Sequence, residues 1–138
     1  MSAAKLYTAE VLGLATALAR FPLADDLPLH GAARSPLCGS ALELGLAVDG
    51  EGRVSAVGLK VHACAIGQAA AAIFAEGAAG RSRTEIATAE AQLRDWLARD
   101  AAPQPDWPGL AALVPALSYP ARHGAILLTW RAALEALP

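Results

Sequence analysis

From Ala41 to Val48, Leu42, Leu44, Leu46 and Val48 alternate with Ala41, Glu43, Gly45 and Ala47. A two-residue period of this kind predicts a strand with one buried face. The turn residues Asp49-Gly50-Glu51-Gly52 follow, and Arg53 to Val61 repeats the alternation with Val57, Leu59 and Val61 on one side. The two runs predict an antiparallel hairpin. Leu29 to Arg34, beyond Pro22 and Pro28, predicts a short first strand.

Elsewhere the spacing is helical. Tyr7, Val11, Leu14 and Leu18 form one stripe in a segment from about Ala4 to Arg20. Cys64 to Ala75 reads as a small-residue helix ending near Gly77 or Gly80. Ser82-Arg83-Thr84-Glu85 is a capping box that opens a helix carrying Ile86, Leu93 and Leu97 on one side. Ala101 to Pro108, with three prolines, predicts a connecting loop, and Leu110 to Val114 a short helical turn. A last helix is expected from about Arg122 to Leu137, with Leu127, Trp130, Leu134 and Leu137 in register. The order predicts an α+β fold, in which a small antiparallel sheet of about three strands packs against several helices.

Composition narrows the classes of function. The 138 residues are enough for one domain with a single core. With 55% hydrophobic and 17% charged residues the chain is no disordered polyelectrolyte. Much of the apolar content is alanine, which favours closely packed helices. A formal net charge of -2, with no basic face interleaved with aromatics, argues against nucleic acid as a partner. The longest near-apolar stretch, Ala65 to Ala75, is interrupted by Gln68 and is too short to span a bilayer, so no membrane partner is expected. The Lys5 to Ala15 region superficially mimics a secretion signal. Glu10 and Thr8 interrupt it, and the amphipathic helix is the better reading.

The two cysteines fall at the edges of regular structure, where side chains with a function are usually presented. Cys38 lies in Ser35-Pro36-Leu37-Cys38-Gly39-Ser40, just ahead of a strand pattern. Cys64 lies where the second strand of the hairpin gives way to a helix. A helix start supplies unpaired N–H groups and the positive end of the dipole, which favour an anion such as a thiolate. Two cysteines in such contexts do not make a disulfide framework, and a reducing cytoplasm fits them better.

Three stretches resemble the iron–sulfur cluster scaffold proteins of the IscU, SufU and NifU N-terminal type. Pro36-Leu37-Cys38-Gly39-Ser40 resembles that family's first motif, a Cys-Gly-Asp after a proline and before a strand. Ala63-Cys64-Ala65-Ile66-Gly67-Gln68-Ala69-Ala70 resembles the second, a Gly-Cys-Ala-Ile opening a helix of small residues. Gly80-Arg81-Ser82-Arg83-Thr84-Glu85-Ile86 resembles the Gly-Lys and capping-box segment that follows. The order of elements agrees along nearly the whole chain. There are also departures. The family's aspartate is Ser40 here, and the third cysteine, aligned on Trp130, is Ala125, with His123 two residues before it. The likeness is to a divergent member lacking the third cysteine and the aspartate.

The resemblance implies a non-enzymatic scaffold or carrier in iron–sulfur cluster assembly, residues 1–138 forming one scaffold-like domain. Cys38 and Cys64 would hold an iron–sulfur cluster, zinc or transferred sulfur, with His123 assisting. Two thiolates and an imidazole suit zinc or an iron–sulfur centre. Ser40 and His62 are secondary candidates, His62 as a fourth ligand, since it stands two residues before Cys64. Each has a plainer alternative. Cys64 could be a buried small residue and Cys38 an inert loop residue. His123 could be a helix-start histidine bonded to backbone, and His62 a strand-end surface residue. Trp96 and Trp130 read as core anchors, and Arg34 and Arg122 as solvated charges. The implied partners are a cysteine desulfurase and acceptor apo-proteins. Two other functions remain open: a zinc-bound sulfur acceptor that relays persulfide, and a metal-free interaction or regulatory module.

Overall fold

A computed structural model describes residues 6–36, 39–99 and 101–138. Helix α1 (Ala9–Ala17) runs into a short 3₁₀ turn (Leu18–Arg20). Strands β1 (Leu29–Arg34), β2 (Ala41–Val48) and β3 (Val54–His62) follow, then helices α2 (Ala65–Gly77) and α3 (Arg83–Ala98). A 3₁₀ helix (Leu110–Ser118) and a 3₁₀ turn (Pro120–Arg122) lead into α4 (His123–Ala136). The strands form an antiparallel sheet in the order β1-β2-β3. The α+β arrangement is the one the sequence predicts.

The alternation in β2 is explained by what covers each face. Leu42, Leu44 and Leu46 are buried, and α4 packs across β1 and β2. Gly31 of β1 pairs with Leu44, and a Cβ built on Gly31 would lie 2.1 Å from the Ala132 carbonyl oxygen of α4. The helix therefore approaches the strand as closely as only glycine permits. On the outer face Gly45 and Gly58 pair across the strands, and Leu23 and Leu27 of the preceding loop occupy the space their side chains would need. That loop also closes the edge of β3, because Leu59 N–H donates to the Phe21 carbonyl at 2.8 Å. The outer face is thus covered near Gly45 and Gly58 and bare toward Arg34, Ala41 and His62.

Capping follows local chemistry. The Thr8 hydroxyl accepts the Val11 N–H at 3.1 Å and starts α1 at Ala9; the expected start at Ala4 lies outside the described residues. The capping box of α3 is complete: the Ser82 hydroxyl accepts from Glu85 N–H at 3.2 Å, and the Glu85 carboxylate accepts from Ser82 N–H at 3.0 Å. Arg53 of the hairpin turn donates to the same carboxylate at 2.8 Å. Inside the turn the Asp49 carboxylate accepts the N–H groups of Glu51 and Arg53. Glu90, buried in α3, is met by Arg94 at 2.9 Å and by Arg131 of α4 at 3.5 Å, which ties the two helices.

The core is built on α2, whose Ala69 to Ala72 are wholly buried. Its Phe74 forms a three-ring cluster with Trp107 and Trp130, the centroids of the three pairs lying 5.3 to 5.4 Å apart in one stacked and two edge-on contacts. Trp130 and Trp96 are buried, as expected. Trp107 is the departure. The proline-rich segment predicts only a connection, yet this indole is 2% exposed. Its Nε1–H donates to the Ile73 carbonyl at 2.9 Å, and the Arg81 guanidinium lies 3.9 Å from a ring centroid on the indole. Leu110 to Ser118 also differs from the short turn expected. Leu110, Leu113 and Ala116 are all buried, and their three-residue spacing is that of a 3₁₀ helix, which continues through Pro115.

Two outcomes are expected from this packing. Replacing glycine by alanine in a helix ordinarily stabilises it by about 0.5–1 kcal/mol. Here a Cβ on Gly77 would lie 2.4 Å from Trp107 Nε1. Gly77→Ala is therefore expected to destabilise by about 1–3 kcal/mol in urea unfolding, and a stabilised variant would contradict the packing. The second outcome concerns acid. Backbone N–H donors, of Arg53 and Glu51 to Asp49 and of Ser82 to Glu85, together with Arg53 beside Glu85, hold both carboxyls below their ordinary 3.8 and 4.5. A carboxyl lowered in the folded state stabilises above its unfolded pKa, and that stability is lost as pH falls through the folded value. The urea midpoint should fall as pH drops below about 4.5, and less steeply in Glu85→Gln; identical pH curves would exclude a contribution from Glu85.

Candidate functional site

The site grows from the open end of the hairpin. Ala41, the first residue of β2, pairs with His62, the last of β3. The loop entering β2 and the start of α2 leaving β3 therefore emerge together. The loop is folded on itself: Ser35 N–H donates to the Ser40 carbonyl at 2.8 Å and Gly39 N–H to the Ser35 carbonyl at 2.9 Å. Gly39 holds φ at 71°, a left-handed turn that favours glycine. Cys38 lies outside the described residues, but its neighbours Gly39 and Ser40 border a cavity of about 370 Å³. Val61, His62, Ala63, Cys64 and Gln68 line the rest of it.

Cys64 is the N-cap residue of α2, half-buried, with a free thiol that makes no capping hydrogen bond. The thiol is available because another residue does the local bonding. Gln68 donates its backbone N–H to the Cys64 carbonyl at 2.9 Å and its Nε2–H to the Ala63 carbonyl at 2.9 Å. One residue, through its side chain and its backbone, thus pins the peptides on either side of the thiol. Sequence reasoning treated Gln68 only as an interruption of an apolar run. The signal was there, since a lone amide in a helix of alanines must find a polar partner when half-buried.

Of the secondary candidates, Ser40 is buried on the cavity wall, and His62 is exposed at its rim. His62 also lines a second hollow of about 450 Å³ on the bare outer face of the sheet, with Ala32, Arg34, Ala41, Glu43 and Lys60. His123 is placed otherwise. It opens α4, half-buried, and its Nε2 lies 3.0 Å from the Leu117 carbonyl. A carbonyl only accepts, so this nitrogen is the donor of the pair. His123 is not among the residues lining the cavity. The next residues of α4 are close-packed against the site's supports. A Cβ on Gly124 would meet Ser35 Oγ at 2.5 Å, and one on Gly67 of α2 would meet the Ala125 methyl at 3.3 Å. Ala125, where the aligned family has its third cysteine, is buried against α2.

Among the described residues no group of three His, Cys, Asp or Glu side chains could hold a metal ion. One thiol and one imidazole do share the cavity, beside the loop that carries Cys38. Sulfur with borderline nitrogen is a donor set that fits zinc or iron–sulfur cargo. No helix among the described residues is long and apolar enough to cross a membrane.

No family model matches the sequence, and no curated protein matches it. Solved structures do. The N-terminal part of a nitrogen-fixing NifU-like protein from Brucella abortus is similar with a TM-score of 0.82 at 27% identity, covering 96% of this chain and 92% of the other. A candidate iron–sulfur cluster assembly scaffold protein for the SUF system (FiSufU) from Fervidobacterium islandicum AW-1 is similar with a TM-score of 0.74 at 20% identity, covering 99% and 100%. This is an IscU/SufU/NifU-type scaffold fold. The resemblance seen in the motifs around Cys38, Cys64 and Ser82 extends to the whole arrangement of elements.

The packing at position 125 has a chemical consequence. A thiol placed there by Ala125→Cys should alkylate far more slowly than Cys64, which is half-buried and borders a cavity. Mass spectrometry after a brief exposure to iodoacetamide reads both rates in one sample. Comparable rates would show that the start of α4 opens in solution.

Proposed function

We propose that this chain is a carrier scaffold in iron–sulfur cluster assembly, with the cluster or its sulfur as cargo held through Cys38 and Cys64. The observation that carries this reading is the shared cavity. An uncommitted thiol at the N-cap of α2 faces it, and the loop bearing the second cysteine borders it, in a fold common to scaffold proteins. A cysteine desulfurase as sulfur donor and apo-proteins as recipients are what the family resemblance implies. The cytoplasm suits thiols that must stay reduced.

The chemistry asked of the chain is modest. A persulfide on the donor presents a sulfane sulfur. The Cys64 thiolate attacks it, the donor's S–S bond breaks, and the donor cysteine leaves as a thiolate. The sulfane proton stays with the transferred sulfur, so no oxidant or reductant is needed. Gln68 holds the peptides flanking Cys64 while this occurs, and the half-buried position limits competing oxidation. Thiolates of Cys38 and Cys64 then hold iron or zinc as cargo, binding more weakly as pH falls, because ligands must be deprotonated. Ser40 supplies no anion where the family has aspartate, and Ala125 supplies no thiolate, so the cargo is expected to be held less tightly than by members with a complete set.

The test uses radiolabelled cysteine with a cysteine desulfurase, followed by iron and sulfide analysis after anaerobic reconstitution. Wild-type protein is expected to carry label and to take up iron with sulfide, and Cys64→Ser to lose the label. Stoichiometric zinc with label but no iron would favour the zinc-bound sulfur acceptor instead. Absence of label, iron and zinc alike would leave a metal-free interaction module.

A further inference from the structure

We infer that the free edge of β1 is a pairing surface for a second copy of this chain, and that Glu135 of α4 keeps it closed. The inference is independent of the carrier function.

The two edges of the sheet differ. The edge of β3 is closed from within the chain, where Leu59 N–H donates to the Phe21 carbonyl and Pro22 bridges to Leu59. On the edge of β1 no strand pairs among the described residues. Ala32 N–H points away from β2, because it donates to the Glu135 carboxylate of α4 at 3.3 Å. Backbone groups alternate in direction along a strand, so His30 and Arg34 present theirs on the same side as Ala32. All three residues are exposed. The hydrogen bond from Glu135 answers the middle one.

An unpaired edge is a template for a strand of another chain, and native sheets protect such edges with charged side chains. The geometry favours this chain's own β1 as that strand. The outward residues are 30, 32 and 34, so an antiparallel copy sets Ala32 against Ala32 and His30 against Arg34 about a dyad. Each contact then occurs twice, as an isologous interface requires. The central residues Gly31, Ala32 and Ala33 are small, and the strand contains no proline. The edge is reachable, since His30, Ala32 and Glu135 line a hollow of about 190 Å³ beside it. Glu135 is the bar. Its carboxylate holds the N–H that would lie at the dyad, and pairing would bring two such carboxylates together there. Like charges facing each other across paired strands are destabilising. The close approach of Ala132 to Gly31 keeps the helix that carries Glu135 against the strand.

The test is sedimentation velocity on the full chain over a range of concentrations, with amide exchange followed by NMR. Wild-type protein is expected to stay monomeric. Glu135→Ala should self-associate about tenfold more tightly or more, since the Ala32 N–H is left without its partner. The amides of His30, Ala32 and Arg34 should then gain protection as concentration rises. Adding Ala32→Pro removes the N–H at the dyad and should restore the monomer, because proline is tolerated where an edge N–H faces solvent. The exchange measurement needs no proline, so it decides the matter even if the double variant fails to fold. A Glu135→Ala protein as monomeric as wild type overturns the inference. Association without protection of those three amides overturns it as well, because the contact then lies elsewhere. Wild-type protein that already pairs through β1 overturns the role of Glu135.

Discussion

Helix α4 lies on β1 with the Ala132 carbonyl in the space where a Gly31 side chain would stand, and the geometry at both cysteine-bearing segments depends on that approach. A helix at this depth brings Gly124 against Ser35, at the base of the Cys38 loop, and Ala125 against Gly67, in the first turn of α2. One rigid element thereby buttresses the two chain segments that border the cavity. Burial of Ile126, Leu128 and Trp130 drives the contact, and the small residues let it close. Larger side chains at Gly31, Gly67 or Gly124 would hold α4 away, and the loop and the helix start would lose their common support.

What could be read in the chain was whatever depends on near neighbours. Alternation in β2 and β3 reports a sheet with one face under a helix, and the capping box around Ser82 and Glu85 is satisfied within four residues. The Cys-containing motifs are likewise local. Features set by distant partners were not legible. Trp107 stands among prolines and reads as a loop residue, because its partners Ile73, Phe74, Gly77 and Trp130 are supplied by other elements. The glycines at 45 and 58 weaken two strands, and only the loop carrying Leu23 and Leu27 explains them. The spacing of Leu110, Leu113 and Ala116 was visible, but a period of three with a proline inside does not match the 3.6-residue pattern of an α-helix.

The site divides along the same line. The sequence brings Cys64 to a helix start and Cys38 to a loop before a strand, and the pairing of Ala41 with His62 sets those two segments at one end of the sheet. The third position of the motif is another matter, because alignment on a distant tryptophan cannot say which way the start of α4 turns. That start meets the body of the protein through glycine and alanine, and its one imidazole is bonded to backbone. The strand end is bound by the opposite constraint. His62 has a fixed backbone and no hydrogen bond on its ring among the described residues.

A permanent metal site and a carrier site ask different things of a fold. A permanent site surrounds the ion with four protein donors and excludes water. A carrier must accept and release its cargo, so its donors must be few, its mouth open and its supports rigid. Here the supports are α4, the pinned N-terminus of α2 and the end of a paired strand. Cys64 and His62 line the cavity at the end of the sheet, and His62 also lines the hollow on the outer face. On the proposed carrier reading, serine at position 40 and alanine at position 125 move the balance further toward release. The close packing at Ala125 means that adding a thiol there would not by itself restore a ligand: the helix start would also have to turn. The difference from the ligand set that the family resemblance implies therefore lies in how α4 packs as well as in which residue stands at position 125.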